Sequence, residues 1–175
     1  YVPENSQVSQ VEIHCASSLW NKTIYDSHNN ILRATTEAMS AVICGANSIN
    51  VLPYDVAYTV SDGLAPRIAR NIQHILKEES HLDKVIDPAS GSYYIENLTA
   101  SIAQSAWDLF MNIENQGGFI KCMENGFVFD EVKKTAQKRD MLIASRKTSV
   151  IGVNKYPNLN EVMVDKITNP MPKHR

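Results

Sequence analysis

The stretch that decides the fold is VEIHCASSLWNKTIYDSHNNILRATTEAMSAVICGANSINVLP, residues 11–53. Residues 11–16 are a short, partly apolar run that predicts a strand, and residues 48–52 are a second one. Between them, apolar side chains recur at helical spacing over 31–42. Gly45 is typical of a helix end, because glycine adopts a left-handed backbone without a Cβ clash. This order predicts a βα unit with a parallel sheet.

The remainder of the chain continues the same alternation of short apolar runs and amphipathic helices. In order, the sequence predicts a helix over 65–80 with Pro66 in its first turn, a third strand at 84–86, a loop at 87–92, a helix around 102–113, helical stretches at 119–125 and 130–145, and an apolar run at 149–153. Three such units are too few to close an eight-stranded barrel.

Composition and charge exclude several classes of protein. The 175 residues are 43% hydrophobic and 21% charged with a net charge of −2, which is typical of a globular domain. Basic residues gather over 133–147, but acidic residues lie among them, which indicates a solvated helix face. We therefore expect no nucleic-acid partner, and without an apolar run of membrane length we expect no membrane partner.

The cysteines and the first residues bear on the cellular context. Cys15, Cys44 and Cys122 are odd in number and widely spaced, so reduced thiols in a cytoplasmic protein are the simplest interpretation. The chain begins Tyr-Val-Pro without methionine, and we expect it to be a piece of a larger protein.

No group of residues predicts a catalytic or metal site on its own. His14 and Cys15 would need further converging ligands to bind a metal, and a strand position near a pocket mouth is the simpler interpretation. Glu78 and Glu79 point to different helix faces and cannot easily share a proton-transfer site. The glycine-containing loop at 87–92 follows a predicted strand, where barrel enzymes place ligand-contacting loops.

Five stretches together carry a family resemblance. They are YDSHNNILRATTEAM (25–39), RIARNIQ (67–73), EES (78–80), DPASGSYYIE (87–96) and VIGVNKY (150–156). Through them the chain resembles the methylmalonyl-CoA mutase family over residues 11–157, in matching order and spacing. The resemblance implies an α/β fold, a partial TIM (β/α)8 barrel of about three βα units followed by C-terminal helices. Residues 1–157 would be the C-terminal portion of the substrate-type barrel domain, and 158–175 a tail or the start of a linker.

The family implies an isomerase that uses adenosylcobalamin to interconvert methylmalonyl-CoA and succinyl-CoA. This chain departs from the catalytic pattern: Glu12 stands where that pattern has a substrate-contacting arginine, Ala16 where it has glutamine, and Asn50 where it has a substrate-contacting histidine. VLPYD (51–55) and ESHLDKVIDP (79–88) instead resemble the non-catalytic small subunit. The resemblance thus implies vestigial pocket positions on the substrate side at Glu12, His14, Ser17 and Asn50, and on the cofactor side at Leu52 and Ser92.

The resemblance also implies where cofactor and partner lie. Asp26-Ser27-His28 begins like the Asp-x-His-x-x-Gly loop that offers histidine to cobalt, but Ile31 occupies the glycine position. We therefore expect no catalytic residue, no metal and no cofactor in this chain, with adenosylcobalamin held by a catalytic large subunit in a heterodimer. The alternative is a fragment of an active acyl-CoA mutase of altered specificity. An incomplete sheet also predicts self-association, with Ile72/Leu76 or Leu109/Ile113 left partly uncovered.

Overall fold

The computed structural model describes residues 11–162 and 167. The chain divides into two compact units. The first contains the residues up to Pro88 together with those from Ile151 onward, and the second contains Ala89–Val150. The first unit therefore consists of two segments that are separated in sequence by the whole of the second.

The elements follow the predicted order, except that the strand predicted at 84–86 does not form. Those of the first unit are β1 (His14–Ala16), α1 (Asn29–Ile43), β2 (Ser48–Asn50), α2 (Leu64–His74), a π-helical segment (Ile75–Glu79) and a 3-10 helix (Leu82–Lys84). Those of the second unit are α3 (Tyr93–Asn115), α4 (Phe119–Glu124) and α5 (Phe127–Ala144).

The sheet of the described residues is a parallel pair. β1 lies beside β2 with Cys15 opposite Ile49 and Ala16 opposite Asn50. A parallel pair needs a long crossover, and α1 supplies it. The prediction of an α/β fold is confirmed, and this pairing joins two of the predicted strands in parallel.

Small side chains form the centre of the first unit. Ala34 and Ala38 of α1 are buried against Val51, Ile72 and Leu76. Alanine has no side-chain bulk beyond Cβ, so it permits close packing of the helix. Ile72 and Leu76 are each only 6% exposed. The prediction that they would be left uncovered is wrong, because α1 packs directly against α2 and buries them.

The third predicted strand does not form in the described structure. Leu82–Lys84 is a 3-10 helix, and Val85 has an extended backbone without a strand partner. A strand exists only when its backbone pairs with a neighbouring edge. A cleft of about 440 Å³ is lined by Ile49 of β2 and by Val85 and Ile86 of this segment. The described residues therefore contain two paired strands.

The start of α1 has no side-chain cap. The helix begins at Asn29 with His28 as N-cap, and neither Asp26 nor Ser27 caps it with its side chain. The Asp26 carboxylate instead accepts a hydrogen bond from the Asn29 side chain at 2.6 Å, and the Ser27 hydroxyl bonds the Tyr58 hydroxyl at 3.1 Å. Asp26 and Ser27 thus bond a side chain of the first helical residue and a tyrosine after β2 instead of capping the helix backbone.

The second unit exposes much of its apolar surface. No described residue of α3 is buried, and Leu109 is 48% exposed while Ile113 is half-buried. The predicted exposure at Leu109/Ile113 is thus confirmed, and Cys122 of α4 is fully buried with its thiol 3.7 Å from the Ile113 carbonyl oxygen. Among the helices that the structure describes, none combines the length and apolarity needed to cross a membrane.

Candidate functional site

The candidate site is the edge of the sheet where β1 and β2 end. The Ser17 N–H donates to the Asn50 carbonyl oxygen at 2.9 Å, and the Ser17 hydroxyl accepts from the Leu52 N–H at 2.8 Å. Ser17 itself is buried. Because parallel strands end on the same side of a sheet, these residues meet at one edge. Ser17 thus ties the two strand ends together rather than offering its hydroxyl to solvent.

One face of the strand pair is open. The side chains of His14, Ala16, Ser48 and Asn50 are exposed, whereas Cys15 and Ile49 between them are half-buried next to α1. This alternation is expected for a sheet covered by helices on one face only. His14 Nδ1 lies 2.6 Å from the Ser48 hydroxyl oxygen. Glu12, two residues before His14, is also exposed.

Leu52 and Ser92, which the resemblance assigns to the cofactor side, lie in different parts of the chain. Leu52 is half-buried directly after β2 and contributes its N–H to Ser17. Ser92 is exposed and immediately precedes α3 in the second unit. Asp87, which opens the predicted ligand loop, lines the same cleft as Asn47 and Ile49.

The side chain of Asn30 makes several hydrogen bonds beside this edge. It is completely buried at the start of α1. Its amide donates to the carbonyl oxygens of Thr23 and Tyr54, each at 2.8 Å. Its oxygen accepts from the Thr23 N–H at 2.9 Å and from Arg33 at 2.8 Å. One side chain therefore joins the loop after β1, the loop after β2 and α1.

Arg33 connects this network to the second sequence segment of the first unit, which begins at Ile151. Its guanidinium donates to the Ile151 carbonyl oxygen at 2.6 Å, across 118 positions of sequence. The Glu161 carboxylate accepts from the Asp26 N–H at 2.6 Å. Burial lowers the pKa of Arg33, and the negative charge of Asp26 partly opposes this shift. These contacts anchor the returning segment 151–161 on the start of α1.

A buried ion pair holds the loop that follows β1. The Lys22 ammonium is fully buried and lies 2.9 Å from the Glu37 carboxylate. The same carboxylate accepts hydrogen bonds from the Asn21 side chain and, at 3.4 Å, from the Ser18 N–H. Both charges are therefore satisfied within the protein.

His28 and Tyr54 pack together beside the loop network. Their ring centroids are 5.2 Å apart. Burial raises the pKa of Tyr54, and the nearby Tyr58 and Asp55 add to this shift. Position 31, where a cobalt-ligand loop would need glycine, is an isoleucine within α1. The described residues also contain no group of three His, Cys, Asp or Glu side chains that could hold a metal ion.

Gly152 allows the returning segment to approach α1. Gly152 and Gly45 both have φ of +81°, but a Cβ at Gly152 would lie 2.7 Å from the Asp26 Cβ, whereas a Cβ at Gly45 would meet nothing within 4 Å. We expect Gly45→Ala to cost about 1 kcal/mol for its backbone conformation alone. Gly152→Ala should cost about 2 kcal/mol more because of the added clash. Urea unfolding of both variants measures the difference, and equal losses would contradict this close packing.

Sequence reasoning did not single out Asn30, Lys22 or Glu37. Asn30 had a usable signal, because it lies at the i, i+4, i+8 spacing with Ala34 and Ala38 on the apolar face of α1, where a polar side chain must be hydrogen-bonded. The pair of Lys22 and Glu37 had none, since its members are 15 positions apart on a loop and a helix.

The sequence of this chain is similar to those of known proteins. The family model described as Methylmalonyl-CoA mutase matches residues 1–173. The chain belongs to the methylmalonyl-CoA mutase family. It is 47% identical over 169 residues to the methylmalonyl-CoA mutase small subunit of Porphyromonas gingivalis, covering 97% of this chain and 27% of that protein.

Other relatives include a second small subunit and a mitochondrial mutase. The small subunit of Streptomyces virginiae is 40% identical, covering 90% of this chain and 26% of that protein. The mitochondrial methylmalonyl-CoA mutase of Bos taurus is 39% identical, covering 93% of this chain and 22% of that protein. The chain thus spans about a quarter of the length of these mutase-family relatives.

Proposed function

We propose that this chain is the C-terminal part of the barrel domain of a non-catalytic mutase small subunit. Its role is to support the isomerisation of methylmalonyl-CoA and succinyl-CoA by a catalytic large subunit. The observation that carries this proposal is the charge at the candidate site. An exposed carboxylate, Glu12, precedes β1 where the catalytic pattern has arginine, and Asn50 stands where that pattern has histidine.

Cations close to this edge are already engaged. Lys22 is buried against Glu37, and Arg33 bonds Thr23, Asn30 and the Ile151 carbonyl oxygen. Arginine and lysine donate the strong, charge-assisted hydrogen bonds that favour binding of the anionic groups of a CoA ester. Releasing either cation would leave buried partners unsatisfied, which supports a site that no longer holds substrate.

The family implies adenosylcobalamin in the complete enzyme. This chain does not fit a cobalt-ligand loop, because His28 packs on Tyr54 and Ile31 replaces the necessary glycine. We propose that the partner chain holds the cofactor. The barrel domain would extend over 1–157 and the protein would act in the cytoplasm, within propionate metabolism.

The partner is proposed to be a catalytic large subunit in a heterodimer. The name small subunit, carried by two relatives above, is what suggests a larger partner. An exposed apolar stripe on α3, formed by Ile95, Leu98, Ile102 and Leu109, offers a surface for assembly or self-association of the chain alone.

An activity assay tests the proposal. The purified chain is expected to produce no succinyl-CoA from methylmalonyl-CoA with adenosylcobalamin, and to leave the absorption spectrum of the cobalamin unchanged. The physical reason is the missing cationic and cobalt-ligating groups. A catalytic mutase under the same conditions is the control, and turnover above background by this chain would refute the proposal.

The alternative is that the chain derives from an active acyl-CoA mutase of altered specificity. The retained His14 and its contact with Ser48 favour it, because they keep hydrogen-bonding groups on the open face. Conversion of a different acyl-CoA by the full-length protein would support that alternative.

A further inference from the structure

One face of α2 carries positive charge. The buried face of this helix and of its π-helical continuation is formed by Ala65, Ala69, Ile72 and Leu76. Arg67, Arg70 and His74, here called the basic stripe, are all exposed. Their spacing of three and four positions places them along one side of the helix, opposite the buried face. The charged groups of the stripe therefore point away from the core of the first unit.

The basic stripe has no negative charge to balance it. Exposure is ordinary for arginine, but α2 contains no aspartate or glutamate over 64–74. Among the described residues, neither Arg67 nor Arg70 forms an ion pair. The next cation, Lys77, lies 3.8 Å from the Glu78 carboxylate. A solvated helix face usually mixes charges of both signs, as α5 does, so the stripe differs from such a face.

The two arginines of the stripe disfavour the helix that carries them. α2 begins at Leu64, so Arg67 lies at the end of its first turn, where the positive end of the helix dipole repels a cation. Arg67 and Arg70 are neighbours on the helix surface, and like charges at this spacing repel each other. A charge pattern that lowers the stability of its own helix is expected where it serves an interaction.

We propose that the basic stripe is a docking site for an acidic protein surface, a carboxylate-bearing face of the catalytic large subunit. This inference rests on the proposed function, which supplies that partner. A guanidinium binds a carboxylate through two parallel hydrogen bonds, so Arg67 and Arg70, one turn apart, suit two neighbouring carboxylates. With a net charge of −2, the chain lacks the basic footprint of a nucleic-acid protein, so an acidic protein is the matching partner.

The affinity of the full-length small subunit for the large subunit tests this docking site. Arg67→Gln with Arg70→Gln removes both charges and keeps polar side chains. We expect the Kd at low ionic strength to rise at least about tenfold, and its dependence on salt to become shallower. Lys133→Gln with Lys138→Gln, at two exposed positions of α5, is the matched control and should change the Kd by less than about twofold. Equal Kd values for the arginine variant and the unmodified subunit would overturn the proposal.

Thermal unfolding of the same full-length proteins shows whether the stripe binds a partner or its own chain. The midpoint of Arg67→Gln with Arg70→Gln should equal or exceed that of the unmodified subunit, because the repulsion within α2 is relieved. A lower midpoint would show that the arginines bind an acidic segment of the same protein, and it would overturn the docking site. If the unmodified subunit itself does not bind the large subunit, the proposed function fails together with this inference.

Discussion

Replacing Asn30 with alanine is expected to lower the free energy of unfolding of the first unit by about 3–5 kcal/mol. The side chain is fully buried and bonds Thr23, Tyr54 and Arg33. Its removal leaves an N–H and two carbonyl oxygens of the surrounding loops without their partner. No substitute is available from α1, because an alanine side chain has no polar atom.

Trp20 fluorescence during urea unfolding measures this effect, in a Trp107→Phe background so that the signal comes from the first unit. Asn97→Ala is the matched control, since Asn97 is exposed on α3. That variant should change the free energy of unfolding by less than about 0.5 kcal/mol. If Asn30→Ala lowers the free energy of unfolding by less than about 1 kcal/mol, the conclusion that Asn30 joins the two loops is contradicted.

Glu37→Gln is expected to destabilise the first unit by about 3 kcal/mol, because it leaves the fully buried Lys22 ammonium without a counter-charge. The double variant Lys22→Met with Glu37→Gln should recover most of that loss. Methionine has a similar volume and carries no charge into the interior. The recovery separates the cost of an unpaired buried charge from a simple loss of packing.

The exposed pair of Lys134 and Glu131 is the control, with its atoms 3.1 Å apart and both side chains in solvent. Glu131→Gln should change the free energy of unfolding by less than about 0.5 kcal/mol. Denaturant unfolding of all these variants measures their free energies of unfolding. A double variant no more stable than Glu37→Gln would show that Lys22 does not carry the penalty.

The helices and the parallel pair could be predicted from local pattern. Apolar spacing placed α1 and α2 close to their observed bounds, and Gly45 ends α1 with a φ of +81°. These features depend on residues three or four positions apart, so the sequence contains them directly. The same reasoning predicted a strand at 84–86, which does not form. Strand formation depends on a neighbouring edge, which no local pattern guarantees.

Contacts between distant parts of the chain could be predicted only where strand direction decides them. Ser17 and Asn50 meet at one edge because the two parallel strands end on the same side of the sheet. Exposure of Ile72 and Leu76 was predicted wrongly, since apolar periodicity identifies a buried face but not the element that covers it. Here the covering element is α1.

The sequence by itself determined the family and the order of the helices and the first two strands. Only the tertiary structure decided how the first unit is held together. Asn30 joins two loops, and Arg33 reaches Ile151 across 118 positions. The physical reason is that hydrogen bonds and close packing act at distances of a few ångströms. Chain folding alone brings such distant residues within that range, so their partners follow from the fold and not from spacing along the chain.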